Sequence, residues 1–193
     1  MMNSPAIALL LSMMVGASAL VASPALAEDT RLVQEVRGGI LLQSCCGIGT
    51  NKEDGVGLNA EALFRSPKFL SVLGAPRPVV GTTIATDGDA TSQFYAGFDW
   101  TFDFAEKFFF SAMLGGAIHT GETDEFDPIA DNNRVDTTLF FGCRAHFRMA
   151  GDLGYRISER VSASVHWSHI SNAGLCTHNE GLDHLGLRIG YRF

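Results

Sequence analysis

The feature that most constrains the fold of this chain is a two-residue alternation of apolar and polar side chains. Side chains of a β-strand point alternately to its two faces, so this period is that of a strand with one apolar face. The clearest segment, 92–103, has an apolar face made of Phe94, Ala96, Phe98, Trp100 and Phe102. Its other face carries Gln93, Tyr95, Asp99, Thr101 and Asp103. The alternation predicts an all-β protein.

Segments of this kind, each about ten residues long, can be counted along the chain from residue 32 onward. They are 32–44, 55–65, 77–86, 92–103, 107–119, 137–149, 160–172 and 183–193, of which 77–86 and 107–119 alternate least regularly. In segment 137–149 the apolar face consists of Leu139, Phe141, Cys143, Ala145 and Phe147. Eight is the strand number of the smallest common closed barrel, whose interior side chains can fill. We predict an eight-stranded antiparallel β-barrel.

The environment of the apolar face decides between two classes of β protein. A soluble sandwich buries that face, whereas a transmembrane barrel turns it toward lipid and keeps charged side chains in the lumen. The segment length and the even strand number favour the transmembrane barrel. The chain ends in Tyr191-Arg192-Phe193, and a terminal aromatic on the last strand resembles the assembly signal of bacterial outer-membrane proteins. We therefore predict a multi-pass barrel of the bacterial outer membrane.

The N-terminal residues predict export. Residues 1–27 carry no charged side chain and end in Ala25-Leu26-Ala27, the small-x-small pattern that signal peptidase cleaves. The prediction is a cleaved signal peptide, 1–27, and a mature barrel domain, 28–193. A transmembrane anchor is the alternative, and it is disfavoured because the apolar run is short for a span of ~20 residues.

Charge and loop lengths limit the remaining classes. With 14 Lys and Arg against 21 Asp and Glu, the chain does not resemble a nucleic-acid binder.

A periplasmic N-terminus places the long connections after strands one, three, five and seven. Segment 120–136 is rich in Asp and Glu, which fits an exposed outer loop, and solvation is favoured over a metal site there. The turn at 66–76 is long for the periplasmic side.

A group of reactive side chains lies near the end of the chain. His169 and Ser171 share one strand face, about 6.6–7 Å apart at the Cα level, and that face is the lipid-facing one. Asp183 lies on the lipid-facing side of strand eight, where a lone carboxylate is unfavourable. Antiparallel neighbours are ~4.8 Å apart, so this carboxylate can reach the imidazole. The three residues predict a relay with Ser171 as nucleophile, His169 as base and Asp183 as the group that orients the ring.

The competing interpretation of these side chains is that a Ser or His near a strand end has no catalytic role and only contacts interfacial water. We interpret His146, His166 and His184 in that way, as lumen or rim residues. For His169, Ser171 and Asp183 the shared outward face and depth favour catalysis.

The four cysteines favour no particular disulfide pair, and a metal site is less favoured still. Cys45 and Cys46 are adjacent and poorly placed to bridge each other, Cys143 is predicted mid-strand, and Cys176 lies in an outer connection. Export would permit disulfides. A Cys176 nucleophile activated by His178 is disfavoured. We predict no cofactor.

The segment His169-Ile170-Ser171-Asn172-Ala173-Gly174-Leu175, followed by Asn179-Glu180-Gly181-Leu182-Asp183, resembles the signature of the lipid A 3-O-deacylases, the PagL family. In that family a His-x-Ser-Asn-Ala motif on strand seven supplies the base and the nucleophile, and a later acidic residue completes the triad. The resemblance implies a serine esterase that hydrolyses the ester of the 3-hydroxyacyl chain at position 3 of lipid A. The family acid is usually Glu, whereas this chain has Asp183, with Glu180 as the nearest substitute.

An acyl transfer of this kind also needs donors for the oxyanion. The candidates are Asn172 and the backbone N–H groups of Ala173 and Gly174, with Asn179 as a brace or a further donor.

Two other functions stay open: a different interfacial esterase, such as a phospholipase, and a non-enzymatic small outer-membrane barrel. The expected partners are lipopolysaccharide as substrate and the surrounding membrane lipids, and the sequence leaves a homodimer open.

Overall fold

The protein is described here by a computed structural model covering residues 31–193, which form a closed barrel of eight antiparallel strands. The strands are β1 (Val33–Gln43), β2 (Val56–Phe64), β3 (Arg77–Ala85), β4 (Gln93–Phe104), β5 (Phe108–His119), β6 (Ala145–Arg156), β7 (Val161–Ser171) and β8 (Leu182–Arg192). Each strand pairs with its neighbours in sequence, and β1 closes the barrel against β8. The predicted fold is confirmed. The predicted signal peptide, 1–27, lies outside the described residues.

Connections of different length separate the two ends of the barrel. The connections after β1, β3, β5 and β7 lie at one end, which we call the outer end. At the opposite end, the turns after β4 and β6 span only residues 105–107 and 157–160. Long outer loops and short periplasmic turns are typical of outer-membrane barrels.

Charged side chains fill the middle of the lumen. Arg188 donates to Asp152 through Nε at 3.0 Å and Nη2 at 2.5 Å, and Arg37 donates to Asp99 at 3.3 Å. All four residues are at most 5% exposed. Buried charges of this kind are stable only when they are paired. The lumen is thus a packed ionic core.

The outer wall is apolar, as the alternation predicts. Its exposed side chains include Ile40, Phe94, Phe98, Phe102, Phe110, Leu114, Leu153, Val165, Leu187 and Ile189. A continuous apolar surface of this extent is the surface that an outer-membrane barrel presents to lipid hydrocarbon.

The sixth strand lies later in the chain than the sequence predicts. It spans Ala145–Arg156, whereas the alternation predicted 137–149. Leu139 and Phe141, which we had placed on the lipid-facing side, are 0% exposed and belong to the hydrophobic cluster of the barrel. The outer connection therefore spans 120–144. The prediction was wrong because a loop that buries alternate residues has the same pattern as a strand.

The turn between β2 and β3 is long because it contains a 3-10 helix, Lys68–Leu73. The helix ends at Gly74, whose φ of 83° is left-handed and favours glycine. Trp100 Nε1 donates to the carbonyl oxygen of Leu73 at 2.8 Å, which holds the turn against the barrel wall. In the part of the chain that the structure describes, no helix is long and apolar enough to cross a membrane.

Two disulfides join the four cysteines, which the sequence did not predict. Cys45 is bonded to its neighbour Cys46, and Cys143 is bonded to Cys176. Because β6 begins only at residue 145, Cys143 lies in the outer connection instead of mid-strand, and it can therefore reach the connection after β7. The bonded Cys176 has no free thiol, so the alternative of a cysteine nucleophile is excluded.

Candidate active site

Strands β7 and β8 bring His169 and Asp183 side by side at the outer end of the barrel. The two residues are register partners, and His169 Nδ1 lies 2.9 Å from Asp183 Oδ1. His169 is 7% exposed and Asp183 is fully buried. The aspartate is one methylene shorter than the glutamate usual in the resembling family, yet its carboxylate reaches the imidazole ring.

Ser171 is the last residue of β7 and lies two positions after His169, so both occupy the same outward face. It is partly buried and pairs across the sheet with Phe147, whose side chain is exposed on the apolar wall. Because Asp183 engages Nδ1 of His169, Nε2 is the ring nitrogen left to accept a proton. Within the described residues no hydrogen bond joins the Ser171 hydroxyl to this ring, and such contacts often tighten only when substrate binds.

Asp183 faces outward yet is buried because residues 44–50 of the first outer connection lie over it. The backbone N–H of Gly49 donates to Asp183 Oδ2. A Cβ added at Gly47 would lie 2.5 Å from Asp183 Cγ. Each carboxylate oxygen thus has a hydrogen-bond partner, as a buried carboxylate requires. The sequence analysis missed this contact, for which the only signal is the Gly-x-Gly that follows the two adjacent cysteines.

The Asn172 side chain connects the outer loops and does not offer a free donor to the site. Its Nδ2 donates to the carbonyl oxygens of Phe141 at 2.8 Å and His178 at 2.5 Å. Its Oδ1 accepts the Gly174 N–H at 2.8 Å, and its backbone N–H donates to Asn179 Oδ1 at 2.9 Å. The Asn172 side chain and the Gly174 N–H, both expected as oxyanion donors, thus already have partners within the loops. Asn179 is a brace.

Ala173 lies between Asn172 and Gly174 and carries the other backbone N–H that was expected as an oxyanion donor. Its φ is 56°, so the chain turns sharply directly after β7, and the residue is exposed. Among the described residues no acceptor is bonded to its N–H. Ala173 therefore keeps a free backbone donor two residues after Ser171.

Glu180, the alternative acid, is engaged elsewhere. Its Oε1 pairs with Lys52 Nζ at 2.5 Å, and its Oε2 accepts the backbone N–H of Phe140 at 2.8 Å. Glu180 therefore ties together the connections after β1, β5 and β7, and Asp183 is the carboxylate beside His169.

The other three histidines of the sequence analysis are buried in the barrel, as lumen or rim residues would be, and at 4% exposure or less they do not lie against interfacial water. His166 contacts Asp152 at 3.2 Å in the ionic core, and His184 contacts Gln43 at 2.9 Å. His146 is 4% exposed.

A family model described as lipid A 3-O-deacylase (PagL) matches residues 79–192, which is more than half of the chain and includes both site strands. The chain belongs to the PagL family. A crystal structure of the outer membrane enzyme PagL matches it with a TM-score of 0.55 and 16% identity, covering 82% of this chain and 99% of that one. The crystal structure of Neisserial surface protein A matches with a TM-score of 0.50 and 10% identity, covering 82% and 96%. Among curated proteins no match was found.

These similarities at low identity show the fold, and together with the family they place this PagL-family protein in the outer membrane. The structural match extends over most of the described barrel, whereas the family match begins within β3. The first outer connection, which covers Asp183, therefore precedes the matched segment.

An apolar groove on the outer wall of this PagL-family barrel begins beside the site. It has a volume of about 450 Å³ and is lined by the side chains of Phe110, Leu114, Met149, Leu153, Val165 and Trp167. The ring of Trp167 stacks on that of His169, with centroids 6.2 Å apart and planes inclined by 9°. Met149 is the register partner of His169. Two residues that line the groove, Trp167 and Met149, therefore lie directly beside His169.

Proposed function

We propose that this protein hydrolyses the ester bond of the 3-hydroxyacyl chain at position 3 of lipid A, with Ser171, His169 and Asp183 as its catalytic triad. The observation that carries the proposal is the 2.9 Å contact between His169 and Asp183 on the lipid-facing wall. A hydrogen-bonded imidazole and carboxylate on that wall have no role in packing the lumen. Membership of the PagL family supplies the substrate class.

From these positions we infer a reaction of two acyl transfers, first to Ser171 and then to water. The Ser171 hydroxyl attacks the ester carbonyl carbon while His169 Nε2 takes its proton. The bond to the sugar oxygen then breaks, and His169 returns the proton to that oxygen, leaving the acyl group on Ser171. Water deprotonated by His169 attacks the acyl-enzyme, the fatty acid leaves, and the serine hydroxyl is restored. Asp183 holds the ring and stabilises the imidazolium in both transfers.

The oxyanion that forms in each transfer needs a donor fixed in advance. We propose the Ala173 N–H for this role, because it lies two residues after the nucleophile and has no acceptor in the described chain. The bonds of Asn172 to the neighbouring loops keep this turn in place.

The groove beside Trp167 fits the acyl chain of such a substrate. An acyl chain arrives from the bilayer, and the groove is apolar and opens on the lipid-facing wall. Its floor is formed by backbone at Gly151, where an added Cβ would meet its nearest atom at 3.5 Å. Alanine therefore fits at this position, whereas a longer side chain would fill the groove.

We expect Gly151→Leu to lower kcat/KM for lipid A about 50-fold, because displacing about three methylenes from the groove costs ~0.8 kcal/mol each. Gly151→Ala is the matched control and should retain activity. Rates of fatty acid release from lipid A in detergent measure both variants. Equal rates for Gly151→Leu and the unaltered protein would show that the acyl chain binds elsewhere.

Product analysis tests the proposed reaction directly. The folded barrel is incubated in detergent with purified lipid A and, separately, with phospholipid, and the products are identified by mass spectrometry. We expect lipid A to lose the 3-hydroxyacyl chain at position 3 and phospholipid to remain intact. Cleavage of phospholipid alone would identify a phospholipase, and absence of any ester cleavage would identify a non-enzymatic barrel.

A further inference from the structure

We propose that residues 44–50, here called the strap, position the triad acid, with Gly47 and Gly49 as its positioning residues. This inference rests on the proposed triad and adds to it a part of the chain that precedes the family match. The strap belongs to the connection between β1 and β2, far in sequence from His169, Ser171 and Asp183.

The strap holds one oxygen of the carboxylate while the base holds the other. Gly49 donates its backbone N–H to Asp183 Oδ2, and His169 Nδ1 contacts Oδ1 at 2.9 Å. A carboxylate held at both oxygens cannot rotate about its terminal bond without losing a hydrogen bond. Asp183 is 0% exposed, so water does not replace a lost donor. The orientation of the imidazole therefore depends on the Gly49 N–H.

The two glycines are required by contact and not by backbone conformation. Neither of them has a φ in the left-handed region. A Cβ at Gly47 would lie 2.5 Å from Cγ and 2.6 Å from Oδ2 of Asp183. A Cβ at Gly49 would lie 2.6 Å from the carbonyl oxygen of Gly181 and 2.8 Å from Asp183 Oδ2. Any larger residue at these two positions must displace the carboxylate or the strap.

Several contacts fix the strap against the segment that leads into β8. Thr50 donates its N–H to the carbonyl oxygen of Gly181 at 2.8 Å, two residues before Asp183. The Ser44 hydroxyl closes the strap by donating to the carbonyl oxygen of Thr50 at 2.7 Å. Directly after the strap, the ion pair of Lys52 with Glu180 adds a second attachment to the same segment. The Cys45–Cys46 disulfide lies within the strap and restricts its turn.

Gly181 completes the enclosure from the other side. A Cβ at this residue would lie 2.6 Å from Cε1 of His169. The strap thus packs on a backbone segment that itself packs on the imidazole ring. Backbone atoms of two different outer connections thus contact the acid and the base, and the strap is bonded to the segment that packs on the base.

The test uses Gly47→Ala and Gly49→Ala in the full barrel, with Gly88→Ala as the matched control. Gly88 lies in another outer connection, and an added Cβ there meets nothing within 4 Å. We expect each strap variant to lower kcat about 10- to 100-fold, as a displacement of about 1 Å in a catalytic group does, with KM for lipid A little changed. The control should match the unaltered protein. Mobility of unheated samples on denaturing gels verifies that every variant forms the folded barrel.

A double-mutant cycle shows whether the strap acts through the acid. Asp183→Asn alone should lower kcat strongly, and adding Gly49→Ala to it should lower kcat no further. A full additional loss in the double variant would overturn the positioning role, as would strap variants with unaltered kcat. If Asp183→Asn itself keeps full activity, the proposed triad is wrong. If Asp183→Asn loses activity while both strap variants stay fully active, the triad stands and the strap proposal fails.

Discussion

Replacing Ser171 with alanine is expected to lower the rate of lipid A deacylation about 10⁴-fold or more while the barrel still folds. Without the hydroxyl no acyl-enzyme forms, and only binding and the oxyanion donor can then accelerate the attack of water. The rate of 3-hydroxy fatty acid release from purified lipid A measures the effect. Residues of a triad act as a unit, so the double variant Ser171→Ala, His169→Ala should be no slower than Ser171→Ala alone.

Ser168 is the matched control for this prediction. It lies on the same strand but on its inward face, is 0% exposed, and has a hydroxyl without a hydrogen-bond partner in the described structure. Ser168→Ala should therefore leave deacylation unchanged. Normal fatty acid release by Ser171→Ala would contradict the serine relay, and a loss equal in both variants would indicate a general defect of β7.

The second large effect concerns stability. Asp152→Ala is expected to lower the free energy of unfolding by about 3–5 kcal/mol, because it removes one carboxylate from a buried network of ion pairs and leaves Arg188 to share Glu61 with Arg37. Asp152 accepts two hydrogen bonds from Arg188 and one from Ser164 at 2.8 Å, and it contacts His166 at 3.2 Å. Because Arg188 is only 2% exposed, bulk solvent does not replace these bonds at its guanidinium.

Urea unfolding of the barrel in phospholipid vesicles measures this change, with the fluorescence of Trp100 and Trp167 as the signal. Asp103→Ala serves as the control, since Asp103 pairs with Arg156 at the periplasmic end and its side chain is 62% exposed. Its unfolding midpoint should stay unchanged, because exposed ion pairs stabilise little. An Asp152→Ala barrel as stable as the unaltered protein would show that the lumen charges are compensated in another way.

Where side chains alternate strictly, the sequence was sufficient to place strands and faces. In β4 the residues Phe94 and Phe98 are exposed on the wall while Tyr95 and Asp99 are buried, as predicted. The same reasoning failed for β6, because Leu139 and Phe141 continue the alternation into a connection that folds over the barrel end. Hydrophobic periodicity reports which side chains avoid water and does not report what covers them.

The candidate site likewise contains contacts that the sequence could predict and contacts that it could not. His169 and Asp183 could be predicted as partners because antiparallel pairing fixes which residues of neighbouring strands lie opposite each other. The bonds of Asn172 to Phe141 and His178 could not, since they join connections whose path no periodicity constrains. The disulfide between Cys143 and Cys176 was missed for the same reason.

The sequence by itself determined the barrel, the direction of its faces, and the outward group of Ser171, His169 and Asp183. These features depend on local alternation and on pairing between adjacent strands, both of which can be counted along the chain. Only the tertiary structure decided how the outward carboxylate is buried. Gly47 and Gly49 of the first outer connection cover it, and Gly49 precedes Asp183 in the sequence by 134 positions. A loop has no periodic constraint, so the contacts that enclose the acid arise only when the closed barrel brings β1 beside β8.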